Sequence, residues 1–177
     1  MSVSAAPAAA VTALDLRRAF AQVPQGVVVV GAELDGAPEG LVASTFTAGV
    51  SLDPPLVTFA VQHTSKTWPR LRDAASHLGV SVLGAEDEGL CRQIASKDRA
   101  NRFAGVDYTT DDDGALTLQA TPLWLKTRVY NQFTAGDHDV VILEILDLGA
   151  DQTKAGLVFH HSIFKSLPAL EQPDPGA

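Results

Sequence analysis

Apolar positions come in short blocks broken by Gly, Pro and Asp, a spacing that suits strands better than long helices. Gly26–Gly31 holds four consecutive valines and leads to Asp35-Gly36, a hairpin turn signal. Leu41–Val50 reads as a second extended segment, dense in Ser and Thr. Asp53-Pro54-Pro55 forces a corner, because each proline fixes its own φ and restricts the residue before it. Leu56–Val61, Leu78–Leu83, Leu123–Phe133, Asp139–Leu148 and Leu157–Phe159 complete a set of about seven strands.

Helical spacing is confined to three short stretches. Asp15–Ala21 ends before Pro24. A second helix starts near Thr64, Ser65 or Thr67, with Pro69 in its first turn, where an amide hydrogen has no partner to lose. Glu86–Ala95 puts Leu90, Cys91 and Ile94 on one face. Only the second and third helices separate strands as a βαβ unit would. The pattern therefore predicts a mainly β domain, a mostly antiparallel barrel with inserted short helices. It covers residues 15–168, with disordered tails at 1–14 and 169–177.

Composition narrows the class. The 177 residues carry 13 basic and 21 acidic side chains, a net charge of −8, which disfavours a nucleic-acid or anionic-membrane partner. One Cys excludes a disulfide framework and fits a reducing cytoplasm. The N-terminal stretch lacks the basic region of a signal peptide, and no apolar run is long enough to span a membrane.

Familiar catalytic motifs are missing. There is no dinucleotide glycine fingerprint, phosphate-binding loop, nucleophile elbow or zinc-protease helix. Cys91 reads as a small core residue. His160 and His161 are adjacent, and strand geometry would send them to opposite faces rather than to one metal. Asp137-His138-Asp139 reads as a hydrogen-bonded corner more readily than as a metal site, so no metal is expected. In Leu123–Phe133, the face with Trp124, Lys126, Arg128 and Tyr130 is either a dimer surface or a solvated sheet face.

Two segments stand out. Ser44, Thr45, Thr47 and Ser51 crowd hydroxyls into an extended stretch, which describes either a bed for a flat ligand or an ordinary Ser/Thr-rich strand. His63–Trp68 gathers hydroxyls and Lys66 where a helix begins, which describes either a phosphate site or a plain helix cap.

Taken in order, six landmarks carry a resemblance: Pro24–Val30, Ala43–Pro55, Ser65–Thr67, Arg102–Val106, Gly136–His138 and Val158–His160. Across roughly residues 19–167 the chain resembles the flavin reductase-like group of FMN-binding split β-barrels, the reductase components of two-component flavin-dependent monooxygenases. The resemblance implies an NAD(P)H:flavin oxidoreductase, using FMN or FAD with NADH or NADPH and supplying a partner oxygenase. It also implies a homodimer. By that match Ser44, Thr45, Phe46 and Thr47 line the ring and ribityl chain, with Ser51, Asp53 and Pro54 beside them. Ser65, Lys66 and Thr67 hold the phosphate, Arg102 and Phe103 lie near the flavin, His138 borders the nicotinamide, and His160 forms a pocket wall. Where the family shows His-x-Gly-x-Tyr, this chain has Ser162 in place of the Gly and Phe164 in place of the Tyr. The same fold accommodates a flavin carrier or sensor, or another split-barrel flavin oxidase, that does not turn over nicotinamide. A flavin-free interaction barrel is the third reading.

Overall fold

The computed structural model describes residues 11–168; the expected tail at 169–177 and most of the one at 1–14 lie outside them. The strands are β1 (Gln25–Gly26), β2 (Val28–Leu34), β3 (Ala37–Ala43), β4 (Thr47–Leu52), β5 (Pro55–Gln62), β6 (Leu78–Val82), β7 (Tyr108–Thr110), β8 (Leu116–Leu118), β9 (Leu123–Ala135), β10 (His138–Ala150), β11 (Gly156–His160) and β12 (Ile163–Leu167). Helices α1 (Ala13–Phe20), α2 (Trp68–Ala74) and α3 (Glu88–Ile94) are short. Helix α1 begins two residues before the expected Asp15 because Thr12 and Asp15 form a reciprocal capping box.

Seven strands form one antiparallel sheet in the order β3-β2-β6-β9-β10-β5-β4. Laid flat, its outer strands would be about 29 Å apart at ~4.8 Å per strand. Yet those edges, β3 and β4, are joined only by Ser44–Phe46, a link that reaches about 14 Å at full stretch. The sheet must roll up, and Ser44–Phe46 becomes the seam of a barrel. Thr45 laces it: its hydroxyl donates to Ala60 O and accepts from Ala60 N, each at 2.9 Å. What reads in the sequence as one extended segment over 41–50 is thus two strands on opposite edges.

Alternate residues fill the barrel: Val28, Val30 and Ala32 from β2, Val57, Phe59 and Val61 from β5, Leu78 and Val80 from β6, Val141 and Leu143 from β10. The outer face of β2 is buried too. Val27, Val29, Leu83, Cys91, Ile94, Phe103, Leu116 and Leu118 form a second core beneath α3 and the β7–β8 hairpin. Two-sided burial explains the unbroken valine run. Gly79 is required where β8 crosses β6, since a Cβ there would fall 1.8 Å from Leu116 O.

Cys91 is a core residue, and burial pushes its thiol up to about 11. At pH 8 roughly one thiol in a thousand is then ionised. Iodoacetamide at pH 8 is expected to leave the native protein unmodified and to alkylate Cys91 only after denaturation, as read by mass spectrometry.

Strands β7, β8 and β12, each no longer than five residues, were not anticipated from the pattern. His161 also departs from expectation. The strand ends at His160, His161 turns through a positive φ of 52°, and the two imidazoles meet edge-to-face at 4.1 Å rather than pointing to opposite faces. Ser162 follows at φ 63°, in the left-handed region that favours glycine. Phe164 packs on Phe159 and under Arg92, with centroid distances of 5.1 Å in both cases.

Candidate functional site

Along the seam runs a groove in two connected parts. The first, about 280 Å³, is lined by Leu41–Thr45, Ala60–Gln62, Ser65 and His138. It lies where β3 leaves the sheet and β5 ends, so small side chains and non-ladder backbone face it. The second, about 630 Å³, shares Leu41, Val42, Gln62 and Ser65 and continues over Thr64, Lys66, Thr67, Lys97, Arg99 and Arg102. Four cations and no carboxylate line this part, in a chain whose net charge is −8.

Each basic group has a distinct setting. Arg102 donates to Ser96 O through Nε (2.9 Å) and Nη2 (2.7 Å), and through Nη1 to Gly40 O (3.2 Å) and Thr67 Oγ1 (2.9 Å). It fixes the loop after α3 to β3 and to the turn before α2, and four of its five N–H directions are committed. Arg99 shares Glu39 with Arg70, at 2.7 and 3.0 Å, leaving that trio one positive charge in excess. Lys66 and Lys97 pair with no carboxylate among the described residues.

The turn before α2 also differs from a simple cap. Ser65 Oγ accepts from Trp68 N at 3.1 Å. Thr67 occupies the cap position without capping; its hydroxyl accepts from Arg102 instead.

His138 heads β10 beside Gln62 of β5. Its Nδ1 lies 2.7 Å from Asp137 Oδ1. That bond places the proton on Nδ1, so the neutral ring presents Nε2 as an acceptor. The hydrogen bond from His138, reinforced by its charge when protonated, holds the Asp137 carboxyl below the usual carboxylate range.

The structure therefore brings together Ser44, Thr45, Ser65, Lys66, Thr67, Arg102 and His138. It adds Gln62, Lys97 and Arg99, which the sequence reading missed. Adjacency to Ser65 and Arg102 was the only signal for them. The other expected residues lie outside the groove within one chain. Phe46 packs against the barrel core and Thr47 opens β4. Ser51, Asp53 and Pro54 lie at the far end of the β4–β5 hairpin, about 23 Å along β5 from Gln62. Phe103 is 8% exposed and belongs to the second core, its ring under Gly40 and edge-on to Tyr108. His160 sits on the small β1-β11-β12 sheet, with Nε2 3.2 Å from Gln22 O.

Of the face opposite the barrel core on β9, Lys126 reaches Asp111 and Asp113 of the β7–β8 connection and Arg128 pairs with Glu144. Trp124 lies over Gly149, and Tyr130 remains exposed.

Comparison with known proteins gives a consistent result. The family model described as "Flavin reductase like domain" matches residues 20–168. A flavin reductase of Pseudomonas putida is 32% identical over 155 residues, 87% of this chain and 89% of that protein. The reductase subunit of a flavin-dependent monooxygenase from Rhodococcus jostii is 28% identical over 172 residues, 95% and 87% of the two chains. Among solved structures, the NADH:FAD oxidoreductase of Streptomyces globisporus, in complex with NAD and FAD fragments, superposes with a TM-score of 0.79 at 29% identity. That match covers 93% of this chain and 94% of the other.

Proposed function

We infer the function from family membership: this chain belongs to the flavin reductase-like domain family. It is an NAD(P)H:flavin oxidoreductase that supplies reduced flavin to a monooxygenase. The observation that carries this reading in the chain itself is the two-part seam groove. One part is narrow and hydroxyl-lined; the other is ringed by Lys66, Lys97, Arg99 and Arg102. Such a groove fits a flat ring joined to a phosphate, the portion that FMN and FAD share.

Bound flavin supplies the redox chemistry by accepting hydride from a reduced nicotinamide, which is why the chain needs no acid–base or nucleophilic constellation of its own. Ser44 and Thr45 line the ring end, where Ser44–Phe46 stands outside the sheet ladder and leaves backbone groups for a polar ring edge. Ser65, Lys66 and Thr67 hold the phosphate, and the field of Arg102 adds to theirs. His138, held by Asp137, presents Nε2 to the nicotinamide carboxamide and orients it for transfer. A reaction drawing on reduced nicotinamide belongs in the cytoplasm.

A homodimer completes the picture. Helix α1 has no buried residue and exposes Leu14, Leu16 and Phe20; Val50 and Leu52 on β4 and Tyr130 and Phe133 on β9 are exposed as well. A second copy would cover these groups. It could also bring Ser51, Asp53 or His160 to the neighbouring groove. Sedimentation analysis is expected to return a dimer; a monomer at micromolar concentration would remove this part of the proposal.

The activity is tested by mixing the purified protein with catalytic FMN or FAD and NADH or NADPH in air. Nicotinamide absorbance at 340 nm is expected to fall with multiple turnovers per flavin. A yellow protein that leaves nicotinamide untouched would be a carrier, and a colourless one that ignores flavin would overturn the assignment. Lys66→Ala is expected to raise the flavin KM about tenfold, the worth of one charge-assisted hydrogen bond, with little change in kcat. Added salt should weaken the wild type more than the variant.

A further inference from the structure

A hydrogen-bonded chain closes the mouth of the barrel next to the groove. Trp68, 2% exposed, donates from Nε1 to Gln132 Oε1 at 3.1 Å. Gln132 donates from Nε2 to Asp139 Oδ2 at 2.8 Å. Thr134 Oγ1 donates to Asp139 Oδ1 at 3.0 Å, and His63 Nε2 stands 3.0 Å from the same oxygen.

The direction of this chain is fixed from its buried end. An indole N–H only donates, so Gln132 must turn its oxygen to Trp68 and its amino group to residue 139. The Asp139 carboxylate, an acceptor-only group, takes all three bonds at once: from Gln132 on one oxygen and from Thr134 and His63 on the other. Partial burial acts to raise the Asp139 pKa, but the bonds from Thr134 and His63 outweigh it, and the carboxyl lies below its ordinary range.

A bulge sets up the arrangement. Val129 pairs with Leu143 and Asn131 with Ile142, so Tyr130 is skipped. Before it, Leu125 and Thr127 point inward; after it, Gln132 and Thr134 do. Asp139 also neighbours two groove elements. His138 precedes it on the opposite face of β10. His63 starts the turn that bears Ser65, Lys66 and Thr67, and its backbone N–H donates to Asp137 O at 3.0 Å.

We propose that Asp139, acting through His63 and Gln132, is a positioning residue that fastens the phosphate-binding turn 62–67 to the tip of the β9–β10 hairpin. Neither Asp139 nor His63 lines the groove; the carboxylate sets where the turn stands relative to His138. The proposal rests on the flavin reading above.

Wild type, Asp139→Asn, Asp139→Glu and His63→Ala are compared by quenching of FMN fluorescence on binding and by NADH turnover at saturating FMN. Asp139→Asn removes the charge from the acceptor and turns an amino group toward either Gln132 or the Thr134–His63 pair, and is expected to raise the FMN Kd about tenfold, with kcat within about twofold. Asp139→Glu restores most of the affinity. His63→Ala, at an exposed position, raises the Kd about threefold and decides the matter alone if Asp139→Asn does not fold. Wild-type Kd values in both Asp139→Asn and His63→Ala would overturn the proposal, as would a kcat loss as large as the Kd change. Failure of the wild type to bind FMN or FAD would instead refute the flavin reading itself.

Discussion

Replacing Thr45 by Trp is expected to weaken FMN binding by about 100-fold or more while leaving the protein folded. Thr45 sits at the centre of Ser44–Phe46, the segment that closes the barrel, and it lines the narrow part of the groove. An indole placed there competes for the same flat space as a flavin ring, within a cavity of about 280 Å³. The substitution also removes the hydroxyl that bridges both backbone groups of Ala60, which costs about 1 kcal/mol per bond. Because residue 45 is exposed, the side chain itself has room in the unliganded protein, and the melting temperature should fall by only a few degrees. Thr45→Ser keeps the hydroxyl and the space, and its FMN Kd should stay within about twofold of wild type. Fluorescence titration measures both. An unchanged Kd in Thr45→Trp would show that flavin does not lie against the seam.

The seam itself could not be read along the chain. Short apolar blocks located β2, β5, β6 and β10, and period-two alternation located β9; the valine run marked a strand without showing that both its faces are buried. Local pattern carries no information on which edges meet, however, so Leu41–Val50 looked like one strand although its halves belong to opposite edges of the sheet. The same limit split the site. Ser44, Thr45, Ser65, Lys66, Thr67, Arg102 and His138 were recognisable because each lies in a short motif. Lys97 and Arg99 lie in a polar stretch with nothing to distinguish them from solvated charge until α3 folds back over β3. Asp53 and Pro54 share a motif with Ser44, yet they end up a full strand length from Gln62, because motif order is not spatial order. Tyr130 shows the converse: one skipped residue reverses which side chains face inward, and alternation read through it assigns Gln132 and Thr134 to the wrong face.

Removing the Arg102 guanidinium should have the largest effect on stability. Arg102→Ala leaves Ser96 O without two hydrogen bonds and deprives Gly40 O and Thr67 Oγ1 of one each, all in part-buried positions. At about 1.5–3 kcal/mol for a bond to a charged donor, offset by water reaching some of the freed groups, the net loss is about 3–4 kcal/mol. For a domain of this size that lowers the melting temperature by roughly 10 °C. Flavin affinity should fall as well, through two separable routes. Arg102 holds Thr67, which belongs to the phosphate turn, and its charge contributes to the field of the wider groove. Arg102→Lys distinguishes them. An ammonium keeps the charge but cannot reproduce a planar fork that reaches two backbone carbonyls and a hydroxyl. If the field dominates, Arg102→Lys recovers most of the flavin affinity while remaining nearly as heat-labile as Arg102→Ala. If the clamp dominates, both variants lose affinity together with stability. Since four of the five N–H directions are spent within the protein, the clamp is the expected winner, and calorimetry paired with FMN titration reads the two effects side by side. A melting temperature for Arg102→Ala within 2 °C of wild type would show that these bonds do not hold the loop after α3 in place.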